Sequence, residues 1–391
     1  MQKHVLALAF GTFALGIAEF SMMSILSPAA EGLQVSIPQA GHFISAYALG
    51  VCAGVLLMVV FARRIPLTKL LLLLAALIAV GNGAAALSPN YWLMTAARFV
   101  AGLPHGAFFG VGSIICTKLA KPGEASRDVC LAVAGMTVAN LVGVPLGSFL
   151  AWAVSWRCAF AIVALVGLFV VFAVKRWVPD LPPLPDKGFA AQFRFLGSLQ
   201  PWLVLGAIGF GNGGFFAYYS YVNPIIEDVA AIPAAFMSAV VTAAGAGMVL
   251  GNLLSAKLSL RITNPALACM GQGVLVASLV IVFFAAHWAP AAVVLTILIA
   301  TAPFFISGPE QVLILENAKE GQLLAAALAQ VAFNGGNALG AWLGGLPIES
   351  GLTAEWAALP GMCLAGIGFS LLLILWIIRR IKAAERIRGA A

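Results

Sequence analysis

The chain has 391 residues, of which 62% are hydrophobic and 9% charged, with a net charge of +7 and a mean hydropathy of +1.04. Soluble domains carry about 25% charged residues, so a soluble enzyme or a nucleic-acid-binding protein is excluded and a polytopic helical membrane protein is expected. The basic excess reads as topology, because 19 of the 21 Lys and Arg residues fall in alternate gaps between apolar segments.

In chain order, the apolar runs predict twelve spans near 5–27, 38–61, 68–87, 91–115, 129–152, 157–178, 200–223, 234–256, 265–286, 290–314, 322–345 and 355–378. Each approaches the ~20 residues that cross ~30 Å of hydrocarbon. The first run follows Lys3, but it is too long for a signal-peptide core and holds Glu19 in its middle, so it counts as a span. An even count puts both termini on one side. Arg379, Arg380, Lys382, Arg386 and Arg388 place that side in the cytoplasm. The turns near Glu31, Glu227/Asp228 and Glu349/Glu355 carry acids without Lys or Arg and are expected outside.

Residues 179–198, rich in proline from Pro179 to Pro185, form the longest polar gap. They are expected to be a cytoplasmic linker between a six-span bundle over 1–178 and a second over 199–391. The halves look alike: Ser45-Ala46 and Gly54 recur 193 residues later as Ser238-Ala239 and Gly247. The pattern at Asn140/Gly143/Gly147 returns at Asn337/Gly340/Gly344, 197 residues on. Parallel repeats of this kind place a transport site between the halves at mid-membrane, reached by rocking. Stripes at Gly102/Gly106/Gly110, Gly247/Gly251 and Gly336/Gly340/Gly344 let helices approach closely, and as a set they are expected at moving interfaces. The six Cys are scattered without a C-x-x-C, so no disulfide frame, metal site or cofactor is expected. Gly209, Gly211 and Gly214 imitate a dinucleotide loop, but they lie inside an apolar span with no preceding strand.

An ionisable group at lipid depth costs at least ~2.5–3.5 kcal/mol, which marks it as functional by default. Glu19, Arg98, His105 and Glu310 qualify. Glu19 and Arg98 lie about seven residues from the outer ends of antiparallel spans, roughly 10 Å deep at ~1.5 Å per residue, so an ion pair is possible. Burial favours a neutral carboxyl and a nearby guanidinium favours the charged form, which makes such a pair a proton switch, or else a fixed link between two helices. His105, on nearly the same helix face as Arg98, suits a proton relay or a solute hydroxyl, or simple hydrogen-bonded packing. Glu310, after Gly308-Pro309, is expected to reach water or a loop base.

Gln330, Asn334 and Asn337 align on one face of the eleventh span, and Asn140, Asn212 and Gln311 add further amides. Amides both donate and accept, which fits binding of hydroxylated or mixed-polarity solutes, with interhelical hydrogen bonds as the alternative. Tyr218, Tyr219 and Tyr221 read as an interfacial aromatic belt, with Tyr218 otherwise a wall of the solute site.

Four stretches carry a family resemblance: Gly11-Thr12-Phe13 to Phe20, Gly41-His42 to Val51, Arg98 to Gly110, and Gly143-Val144-Pro145-Leu146-Gly147. Across essentially its whole length the chain resembles the major facilitator superfamily, in its drug:proton antiporter branch and the AraJ-type permeases associated with arabinose efflux. That resemblance implies an all-α fold of twelve transmembrane helices in two six-helix pseudo-repeats. It also implies a proton antiporter exporting a sugar or a drug, with Arg98 to Gly102 tied to proton coupling and Gly143, Pro145 and Gly147 tied to antiport. Gly54, Arg63 and Arg64 match a gating latch after the second span, but its usual acid is missing, since no Asp or Glu lies between Glu31 and Ser88. The expected partners are a small-molecule substrate, protons and the lipid bilayer, with the chain acting as a monomer and binding no nucleic acid. A uniporter, a symporter or a non-transporting receptor remains open.

Overall fold

Backbone groups in hydrocarbon have no water to pair with, so apolar runs of this length become helices. The computed structural model describes residues 2–61, 65–122, 124–183, 190–318 and 322–390, and no strand occurs among them. The first half holds α1 (Lys3–Ser24), a short outer α2 (Leu26–Leu33), α3 (Ile37–Phe61), α4 (Leu67–Ala86), α5 (Tyr91–Gly102), α6 (Pro104–Leu119), α7 (Ala125–Val138), α8 (Val144–Ala153) and α9 (Arg157–Trp177). The second holds α10 (Leu199–Tyr219), α11 (Val222–Pro224), α12 (Met237–Leu258), α13 (Asn264–Ala285), α14 (Ala289–Asn317), α15 (Gln322–Glu349) and α16 (Ala358–Ala390). Counting α5–α6 as one span and α7–α8 as another gives twelve, six to each half. Ten are long and apolar enough by composition alone; α10 and α15 carry several glycines and amides that lower their hydropathy. The basic-rich end of the bundle is called inner below. Arg63 and Arg64 lie outside the described residues.

The breaks follow from proline. Pro104 has no N–H for the Val100 carbonyl, and the fourth span steps from α5 to α6 there. Pro145 likewise cannot serve Leu141, and the fifth span widens into a π-turn over Ala139–Gly143. By contrast α14 runs unbroken through Pro303 and Pro309.

The glycine stripes do not lie where the sequence placed them. A Cβ on Gly102 would strike the Tyr47 carbonyl, one on Gly54 the Leu103 carbonyl, and one on Gly106 the Val55 side chain, all inside the first half. Gly247 and Gly251 face Thr301 of α14, while Gly336, Gly340 and Gly344 press on Gly209, Gly213 and Ala217 of α10, all inside the second. These stripes hold each bundle together by close backbone approach, with Gly54 and Gly102 packed inside the first half. Contact between halves runs through other residues. Gly245 of α12 abuts the Asn140 carbonyl, and Ser238 Oγ donates to the Pro145 carbonyl at 3.0 Å. On the other flank Ser45 Oγ donates to the Ala338 carbonyl at 2.9 Å.

The tyrosines correct a second expectation. Tyr218, Tyr219 and Tyr221 are buried within protein, not set in a lipid-facing belt. Tyr221 Oη donates to the Ala341 carbonyl at 2.8 Å and fills the space left by Gly41 and Gly345, so it plugs the outer seam between α3 and α15. Nearby, the Ser27 N–H donates to Asn223 Oδ1 at 2.8 Å across the halves, and Asn223 Nδ2 donates to Glu227 Oε1 at 2.6 Å. The outer side is therefore closed. Burial pushes the Glu227 carboxyl above its ordinary range; the Asn223 hydrogen bond pulls it back, and Asp228 and Glu31 push it further up. A carboxyl raised in the closed form contributes closure that is fully present below its ordinary pKa and lost as pH rises through the raised value. Spin labels at exposed Ser36 and Ala235 should therefore show more of the short outer distance as pH falls from about 7 to about 5, and a Glu227→Gln variant should lose that response.

Candidate proton-coupling site

The three charged positions expected on the first and fourth spans do converge, around a fourth residue. Glu19 on α1, Arg98 on α5, His105 on α6 and Tyr47 on α3 are all buried, and Arg98 is completely so. Gly102 and Gly50 let α5 lie against α3 closely enough for the Arg98 guanidinium to sit 4.3 Å from the Tyr47 ring centroid. Phe160 of α9 covers Arg98 at 5.4 Å.

Arg98 does not pair directly with Glu19. Its Nη1 donates to the Ala18 carbonyl at 2.9 Å and its Nε to the Phe43 carbonyl at 3.4 Å, while Nη2 has no partner. The charge is thus held one residue from Glu19 by backbone oxygens. Glu19 instead faces His105, with Oε2 and Nε2 3.7 Å apart, too long for a direct hydrogen bond. His105 Nδ1 meets Tyr47 Oη at 2.8 Å and its ring stacks on Phe109. A chain therefore runs from Glu19 through His105 and Tyr47 to Arg98, then back to α1 at Ala18.

This chain adjoins the seam between the halves. Phe20, next to Glu19, meets Phe216 and Tyr219 of α10 and Phe304 of α14, with ring centroids 6.3, 6.4 and 6.2 Å away. Gly143 and Gly147 of the fifth span clear space for Ile17 and Ser21 of α1. The same span carries the Asn140 and Pro145 carbonyls that touch α12, so a shift between halves acts on both sides of Glu19.

The amides divide. Asn140, Asn212, Asn334 and Asn337 are buried, Gln311 is half-buried and Gln330 is exposed. Asn334 bonds only within its own helix, to the Gln330 carbonyl at 3.0 Å. Asn140 Nδ2, Asn212 Oδ1 and both Asn337 side-chain atoms have no hydrogen-bond partner. Tyr218 meets Thr296 Oγ1 at 2.8 Å. Tyr47 was missed as a site residue; its place in the second-span stretch, with one polar atom at lipid depth, was the available signal.

Tyr47→Phe keeps the ring under Arg98 and removes only the link to His105. It should cost about 1 kcal/mol of stability or less, and cut proton-driven flux roughly tenfold, an effect of about 1.4 kcal/mol on the barrier. Thermal melting and proteoliposome flux measure the two.

Twelve helices in two repeats, a charged network on the first and fourth spans and a sealed outer seam define a secondary transporter. The chain belongs to the Major Facilitator Superfamily, whose family model matches residues 8–341; it is a transporter and not an enzyme. Escherichia coli (strain K12) AraJ is 41% identical over 98% of both chains. The inner membrane transport protein YdhP of the same strain is 34% identical over 94% of both. A chloramphenicol resistance protein of Streptomyces lividans is 28% identical over 85% of this chain and 86% of its own. Among solved structures, a D-xylose-proton symporter matches with a TM-score of 0.78 at 15% identity, covering 96% of this chain and 97% of its own, a likeness of fold.

Proposed function

We propose that this protein is a proton-coupled antiporter of the bacterial inner membrane, with cytoplasmic termini, that exports a small polar or mixed-polarity solute. The carrying observation is the Glu19–His105–Tyr47–Arg98 chain set against the aromatic contact between halves. Rocking moves α1 against α10 and α14, which changes how near the Arg98 charge lies to Glu19. Approach favours the carboxylate and withdrawal the neutral acid, so a proton is taken up in one state and released in the other. The unpartnered amide atoms of Asn140 and Asn337 offer donors and an acceptor to a hydroxylated solute or an amide-bearing drug. The YdhP relative supports an inner-membrane location.

The test uses proteoliposomes holding a lumenal pH dye and loaded with L-arabinose or chloramphenicol. In an antiporter the outward solute gradient draws protons in and acidifies the lumen. A symporter would make the lumen alkaline and a uniporter would leave it unchanged, and either result overturns the reading.

A further inference from the structure

The second half carries a polar crevice that the Glu19 network does not use. It lies between α10, α13 and α14 and is lined by Gly211, Asn212, Gln272, Pro303, Ile306 and Glu310. The fourth and tenth spans, Tyr91–Leu119 and Ala289–Asn317, have equal length and lie 198 residues apart, which sets Pro303 at the place of His105. The crevice is thus the second half's counterpart of the coupling site, with its own acid two turns further in.

Three observations bear on what it holds. Glu310 is 4% exposed and forms no ion pair among the described residues. Asn212 spends its Nδ2 on the Ile208 carbonyl at 2.9 Å, leaving a buried Oδ1 with no donor. Gln272 donates to the Ala365 carbonyl at 3.1 Å, and its Oε1 faces Gly211. The crevice is rich in acceptors and short of donors: Asn212 Oδ1, Gln272 Oε1 and the Glu310 oxygens belong to its lining, while Asn212 Nδ2 and Gln272 Nε2 are already spent on carbonyls. A protonated carboxyl supplies the O–H donor that this set lacks.

The geometry points to a second proton-binding site, in which Glu310 carries a proton shared with Asn212 Oδ1 while Gln272 lines the pocket. It rests on the proton-coupled reading above and deepens it, giving each half its own protonatable acid. Among the described residues no cation lines the crevice beside the acid. Among the elements packed on α14, α12 brings Lys257 at its exposed inner end, α13 brings Cys269, α10 brings Tyr218 and Tyr219 towards the outer seal, and α15 and the outer turn after α11 bring Glu349, Glu227 and Asp228 at the outer end; none lines the crevice. On α14 itself Glu316 is engaged by Arg379 at 2.6 Å. Glu310 follows Gly308, where an added Cβ would meet nothing, so this turn of α14 faces open space.

Dicyclohexylcarbodiimide adds to protonated carboxyls in apolar surroundings and leaves a stable acylurea that peptide mass spectrometry can locate. In full-length protein in nanodiscs, Glu310 should be labelled, should lose labelling as pH rises, and should do so equally in Glu19→Gln. An Asn212→Leu variant, which removes the acceptor but not the packing volume, should shift the pH at half-labelling. Three results overturn the proposal: no adduct at Glu310 while Glu19 is labelled in the same sample, labelling set by Na+ and not by pH, or a pH profile untouched in Asn212→Leu. If coupled antiport fails but the site stands, labelling still titrates while the lumenal pH assay stays flat; if the site fails alone, that assay responds and Glu310 stays unlabelled.

Discussion

Gly340→Val should destabilise the second bundle, whereas Gly245→Val should leave it as stable as wild type and hold the outer side open. Both glycines sit in helices under a neighbour's backbone oxygen. A side chain on Gly340 meets the Gly213 carbonyl within one half, and one on Gly245 meets the Asn140 carbonyl across the halves. The α10–α15 contact persists in every state of a rocking transporter, so overpacking there is a direct loss of about 1–3 kcal/mol, and more where two backbones must part. In the proposed rocking cycle the contact of α12 with the π-turn and α8 forms only while the outer side is closed, so the same clash there is relieved by opening. Melting temperature should fall for Gly340→Val and hold near wild type for Gly245→Val. Spin labels at the exposed outer positions Val154 and Phe236 should move apart only in the latter. A short, unchanged Val154–Phe236 distance in Gly245→Val contradicts the assignment of this seam.

Glu19→Gln should silence lumenal acidification while solute still exchanges for solute. The amide fits the same space beside His105 but cannot carry the charge change. Removing a positioned proton-transfer group costs about a hundredfold or more, so proton movement should fall below about one hundredth of wild type. Exchange needs only the rocking of a loaded carrier and should survive within about threefold, under about 1 kcal/mol. Proton movement at the wild-type rate in Glu19→Gln removes Glu19 from the cycle.

The fold was legible because its physics is one-dimensional. Apolar length set the spans, and the 193–197-residue offset set the repeat. Departures sit where side-chain pattern is silent. The short outer α2 lies inside apolar sequence, and the π-turn before Pro145 follows from a missing N–H, not from hydropathy. Within the site, Glu19, Arg98 and His105 stood out because charge at lipid depth is costly. Depth alone could not choose Glu19's neighbour: helix rotation gave it His105, and Arg98 went to two carbonyls. The glycine stripes advertised close approach without saying to what. Gln330 shows the limit of periodicity, since it shares a helix face with Asn334 and Asn337 yet is exposed while they are buried.

The central claim is that the carboxyl of Glu19 gains and loses a proton as the halves tilt. Infrared difference spectra of purified protein, taken as pH is stepped, report this without any substrate. The account predicts a carboxylic acid C=O band that converts to carboxylate in wild type and in Glu310→Gln and is missing in Glu19→Gln. Difference spectra that are identical in wild type and Glu19→Gln would contradict it.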